Sequence, residues 1–253
     1  MAPSTIVLAL AAAAAAGMVG AFAVMRRMVL AADPLSHIAL PGIGLALIFS
    51  IDPLIGAIAA LLVGTMLVWT LENRTRMPTE AIIGVVFSLA LAVGSLMTSG
   101  EELIHALFGA ASQPKPWELV FGIVASIAVM LFVLRERNRL VISLVSVDLA
   151  HTSGINVRRL NLMFLLAFAV TVALGLKFLG VLLMGSLIII PAATARHVAR
   201  SLNATLAVSV VLAMLSTAIG SLGAVAFHVA SGPVIICVAA IFFFVGLLRP
   251  RAA

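Results

Sequence analysis

Nine apolar segments divide this chain, at about residues 4–24, 35–50, 54–71, 80–98, 118–134, 160–176, 178–195, 203–225 and 232–248. Crossing the roughly 30 Å hydrocarbon core of a bilayer takes about 20 helical residues, or somewhat fewer where a span is shielded. Lipid offers backbone amides no partner, so such segments must be helices. The expected fold is an all-α polytopic membrane protein with about eight or nine transmembrane helices. The chain is 64% hydrophobic and 9% charged, where a soluble domain carries about 25% charged residues. The run Ala11–Ala16 has no basic residue before it and is followed by Arg26 and Arg27. It reads as a retained first span rather than a cleaved signal.

The basic residues add a direction. If the spans alternate, Arg26, Arg27, Arg74, Arg76, Arg135, Arg137, Arg139, Arg158, Arg159, Arg196, Arg200, Arg249 and Arg251 all reach one side. Only Lys115 and Lys177 fall opposite. Positive charge stays cytoplasmic during insertion, which predicts an external N-terminus and a cytoplasmic C-terminus. Trp69 and Trp117 fit interfacial anchors.

Several classes are excluded. The +6 charge sits at span ends, without the basic face and interleaved aromatics that nucleic acid needs. The single Cys237 rules out an intrachain disulfide and argues against a zinc–thiolate cluster. The chain has no Gly-x-x-x-x-Gly-Lys-Ser/Thr loop, so it does not bind ATP in the P-loop manner. No linker or second domain interrupts residues 1–253.

Finer features follow within the spans. Pro41-Gly42-Ile43-Gly44 leaves the second segment short and open to a break, and decides between eight and nine spans. Gly175, Lys177 and Gly180 mark a turn inside the apolar stretch from Leu160 to Ala195. Gly56, Ala60 and Gly64 form a small-residue stripe suited to close helix packing within the chain.

Two segments carry chemistry. Asp33 and His37 are four residues apart and share a face if helical. A carboxylate and an imidazole so placed can both ligate a divalent transition metal, and ionisable groups in spans tend to face a pathway. Alternatively, Asp33 caps the helix and His37 bonds a neighbouring backbone. The second segment lies within residues 140–158, the only sizeable stretch on the arginine side that is not a clear span. There Ser146 can cap a short helix and Gly154 can end it. The element is well placed to dock a partner, or is an ordinary surface helix. In an outer loop, Glu101, Glu102 and His105 could attract cations at the entrance or form an ordinary solvated loop.

Taken in order, several motifs resemble a known family. They are Leu35-Ser36-His37 with Pro41-Gly42, Glu80 with Ile83-Gly84, Leu107-Phe108-Gly109 and Gly154-Ile155-Asn156-Val157-Arg158-Arg159-Leu160. Gly180-Val181-Leu182-Leu183 then leads to Ile190-Pro191-Ala192-Ala193-Thr194-Ala195-Arg196, and Ser231-Gly232 closes the set. The chain is similar to the permease subunits of bacterial metal-ion ABC importers, over roughly residues 15–245.

The resemblance implies a non-catalytic permease domain in the bacterial inner membrane. It implies a homodimer or a pair of similar permeases, two cytoplasmic ATPase subunits, and an extracytoplasmic binding protein. The cargo would be Zn2+ or Mn2+, with Fe2+ a third candidate, and no cofactor would be held permanently. Asp33 and His37 match a metal relay. Asp148, Leu149, Ala150 and Gly154 match the coupling helix that docks the ATPase. Pro34 and Ser146 depart from the pattern, where the family usually has a small non-proline residue and an acid. The alternatives are a permease for a metal chelate, which would be longer, and an ion-driven secondary transporter, which would show repeats and mid-membrane carboxylates.

Overall fold

The computed structural model describes residues 3–28, 32–75, 77–97, 115–179 and 181–248. Among them lie eleven helices and no strand. In chain order they are α1 (Pro3–Met25), α2 (Ala32–His37), α3 (Ala39–Ile48), α4 (Pro53–Arg74), α5 (Thr79–Met97) and α6 (Pro116–Val145). They continue as α7 (Val147–Thr152), α8 (Val157–Leu179), α9 (Val181–Val198), α10 (Leu202–Phe227) and α11 (Ser231–Leu247). Among the described residues six helices, α1, α4, α5, α6, α8 and α10, are long and apolar enough to cross a membrane, with shorter apolar helices at Pro34–Ile48 and Ser231–Leu247. The protein is an all-α polytopic membrane protein.

The second segment is broken at Ile38, between α2 and α3. Pro41 supplies the reason. It has no N–H for the carbonyl of His37, four residues back, and its ring crowds that carbonyl. Pro34, by contrast, falls in the first turn of α2, where no intrahelical N–H bond is lost.

Helix α1 is the centre of the bundle, enclosed by α6, α8, α9 and α10. Its small residues make that possible. A Cβ on Gly17 would lie 2.8 Å from the backbone oxygen of Ser209. Ser209 Oγ also donates to the Gly17 carbonyl at 2.6 Å, satisfying a hydroxyl with no access to water. Phe22, Phe164 and Phe168 fill the surrounding core.

Two boundaries fall later than the sequence places them. The stretch from Leu160 to Ala195 divides into two helices, as expected, but α8 continues through Gly175 and Lys177 to Leu179, and α9 starts at Val181. Gly175 gives room to the buried Met184 side chain of α9. Helix α6 does not end near residue 134. It runs for 30 residues, about 45 Å at 1.5 Å per residue, and so extends well past a bilayer core.

Polar contacts fix which ends lie together. Arg137 donates to Asn203 at 2.9 Å, and Arg196 donates to the Val24 carbonyl at 3.0 Å. At the other end, Lys115 Nζ donates to Asp52 at 2.6 Å. That bond and the adjacent negative charge raise the Lys115 pKa.

Candidate functional site

Helix α2 packs among α9, α5 and α8. His37 ends it and is only 8% exposed, with its ring 5.4 Å from that of Phe87 at a tilt of 54°. Phe87 lies midway along α5. Ile38 meets Gly64, which lies midway along α4. These two registers put His37 beside the midpoints of α5 and α4, deeper in the bundle than the start of a span, where its place in the chain just after Arg26 and Arg27 would leave it. Helical backbone across α2 sets Asp33 one turn earlier on the same face; its side chain is outside the described residues. Among the described residues no three His, Cys, Asp or Glu side chains gather.

The stripe Gly56, Ala60 and Gly64 is where α4 meets this broken segment. Gly56 packs on Gly42 of α3, and Gly64 on Ile38. The stripe therefore serves packing within the chain. Beside it lies an apolar groove of about 590 Å3, bounded by α3, α4 and α5.

Residues 147–152 form a helix, as the flanking Ser146 and Gly154 suggest. Ser146 Oγ accepts the Leu149 N–H at 3.2 Å. At the far end Gly154 takes φ +72°. Gly154 N–H donates to the His151 carbonyl at 3.0 Å, and Ile155 N–H to the Ala150 carbonyl at 2.9 Å. That pair of bonds is a Schellman motif, which favours glycine at the left-handed position. Only Ser146 separates α7 from α6, so α7 kinks from a helix end instead of sitting in a loop. Asp148, Leu149 and Gly154 face outward, whereas Ala150 is fully buried and anchors the element. Val145, Val147 and Leu149 are exposed apolar side chains at the polar end of the molecule.

One cluster escapes the sequence reading. Asn161 of α8 accepts from Arg26 at 2.6 Å and donates to Glu72 of α4 at 2.6 Å. The other Glu72 oxygen accepts from Thr79 of α5, also at 2.6 Å. Burial lowers the Arg26 pKa to about 10, opposed by the charge of Glu72. The Arg26 guanidinium lies 4.3 Å above the Phe164 ring. The available signal was a lone acid, Glu72, in the last turn of an apolar span. Trp69 also plays more than an anchor's part. Its Nε1–H donates to the Arg158 carbonyl at 3.1 Å, and the Arg158 guanidinium sits 4.9 Å from its ring.

Glu101, Glu102, His105 and the Leu107-Phe108-Gly109 motif are outside the described residues. His228 caps α10 in the left-handed region, at φ 55°.

The fold is a bundle of membrane-crossing helices with one helix broken inside it and one short exposed helix at its polar end. The match to the ABC 3 transport family over residues 2–249 makes the chain a member of that family. It is 30% identical over 236 residues to the high-affinity zinc uptake system membrane protein ZnuB of Haemophilus influenzae, covering 91% of this chain and 90% of the relative. The manganese transport system membrane protein MntC of Listeria innocua is 28% identical over 236 residues, with 92% and 84% covered. Among solved structures, PsaBC from Streptococcus pneumoniae in complex with a Fab superposes with a TM-score of 0.83 at 26% identity, covering 96% of this chain and 89% of that one.

Proposed function

We propose that the chain is the permease subunit of an ABC importer for a divalent transition-metal ion of the zinc–manganese class, with Fe2+ a further candidate cargo. The observation that carries the reading is the family match over nearly the whole chain, supported by a buried His37 at the break between α2 and α3. Zinc and manganese uptake proteins among the relatives support the cargo class. Irregular backbone inside a membrane protein is tolerated where it lines a protein-enclosed path.

Asp33 and His37 would ligate the ion transiently, with water completing the shell. An importer needs a site that releases its ion, since conduction requires exit as well as entry. Two ligands per chain suit that better than a closed site of four. Residues 1–253 would form one permease domain that pairs with a second copy or a similar permease. ATP hydrolysis would reside in two cytoplasmic ATPase subunits, and an extracytoplasmic protein would deliver the metal.

Val147, Leu149 and Asp148 would dock the ATPase, with Gly154 setting where the helix stops. An added Cβ at Gly154 meets nothing within 4 Å. The cost of substitution there is conformational, about 1–2 kcal/mol for an L-residue held left-handed. Gly154→Val is therefore expected to weaken ATPase co-purification while leaving the bundle folded. Normal association and transport-coupled hydrolysis in that variant would remove the coupling role from this segment.

The arginine-rich end would be cytoplasmic. Cysteines placed at Ser50 and Ser153, with Cys237→Ser as background, should label from opposite sides. Ser153→Cys should react only from the cytoplasm; reaction of both from one side would overturn the orientation.

A further inference from the structure

We propose that α4 carries movement of the coupling helix to the helix bearing His37, through a two-point staple to the first turns of α8. This rests on reading α7 as the docking element and α2 as part of the pathway.

The first link is between α7 and α8. Only residues 153–156 separate them. The Ile155–Ala150 bond closes the end of α7, and Asn156 Oδ1 accepts the Arg159 N–H at 3.0 Å to cap the start of α8. Two capped helices joined by so short a link turn together. The second link is the staple. Arg158 holds Trp69 by a backbone hydrogen bond and by its guanidinium over the indole. One turn on, Asn161 holds Glu72. Trp69 and Glu72 are likewise close to one turn apart, so two adjacent turns of α8 grip two adjacent turns of α4. Arg26 and Thr79 complete the bonding of the second point.

The third link is the glycine stripe. Further along α4, Gly64 packs on Ile38, the residue after His37, and Gly56 packs on Gly42. These approaches have no slack, so a displacement of α4 must displace α3 and Ile38, and through Ile38 the end of α2. Packed interfaces shift between discrete arrangements instead of deforming continuously. A polar cavity of about 570 Å3 supplies room for the movement. Val147, His151 and Ser143 line one side of it, and Glu72, Glu80 and Arg26 the other. Helix α7 can close on α4 across this space without expelling packed side chains.

Contiguity is not coupling, so the test measures movement. The full transporter with its ATPase subunits is placed in lipid nanodiscs with no metal added. A single cysteine at Leu45 on α3, in a Cys237→Ser background, reports maleimide reactivity with and without ATP and vanadate. With the staple intact, trapping should change that rate by about fivefold or more, the low end of typical coupling between sites. In Trp69→Leu/Glu72→Ala the change should vanish while ATPase association and vanadate trapping persist. The milder Trp69→Phe/Glu72→Gln should give an intermediate change, which guards against a folding defect. A nucleotide-driven change that survives the double substitution overturns the proposal. So does its absence with the staple intact, or loss of vanadate trapping in the variants. Metal plays no part in this readout, so failure of the cargo assignment is registered separately, by uptake.

Discussion

His37→Ala is expected to reduce metal uptake by at least about 10–100-fold, the loss typical when even an outer partner of a metal ligand is removed. His37 is buried inside the bundle against Phe87, midway along α5. A group there cannot be replaced by water at the helix surface, and alanine offers the ion no lone pair. Burial also means that truncation leaves a cavity. His37→Gln is therefore the companion variant, because it conserves most of the volume and supplies a weaker ligand. Both should retain dimer assembly and ATPase binding. Asp33→Asn should lower uptake as far as His37→Ala, since it removes charge at nearly constant shape. Uptake is measured with native partners in cells lacking other importers. Wild-type rates in both His37→Ala and Asp33→Asn would return the two residues to structural roles.

Gly56→Val is expected to prevent stable folding, with a cost above about 3 kcal/mol, beyond the usual range for overpacking. A Cβ at Gly56 would come within 2.7 Å of Ala46 Cβ and 2.8 Å of the Gly42 carbonyl carbon. The obstacle includes backbone, so no rotamer change relieves it. Gly84→Val is the control on the neighbouring helix α5, where an added Cβ meets nothing within 4 Å. The measurement is the yield of monodisperse protein in detergent and its thermal aggregation temperature. Gly56→Val should fail both, and Gly84→Val should match the wild type. Equal behaviour of the two would show that the α3–α4 crossing is looser than described.

The spans were legible because lipid imposes one simple rule, a helix of sufficient apolar length, and sequence displays it directly. Pro41 announced the break in the second segment, and Ser146 and Gly154 marked the limits of α7, since caps are local chemistry. What escaped was whatever depends on distant residues. Arg26 and Asn161 are 135 positions apart, and Glu72 and Asn161 are 89 apart. No periodicity points from one to the other. The depth of His37 is likewise set by register against α4 and α5, not by its own neighbours in the chain. The continuation of α6 was missed for a different reason. Beyond the bilayer a helix needs no apolar run, and pairs such as Arg139–Glu136 at 3.1 Å support it instead. In the candidate metal site, the residue types and their spacing were readable, but not their position across the membrane.

The most direct test of metal permeation is uptake into proteoliposomes holding the chain with its ATPase subunits and binding protein. Radiolabelled Zn2+ and Mn2+ are supplied outside, with ATP presented to the ATPase. The account predicts accumulation of at least one of these ions that requires ATP and the binding protein and is lost in His37→Ala. Accumulation driven by an ion gradient without ATP, or ATP-driven uptake of a metal chelate but of neither free ion, would contradict it.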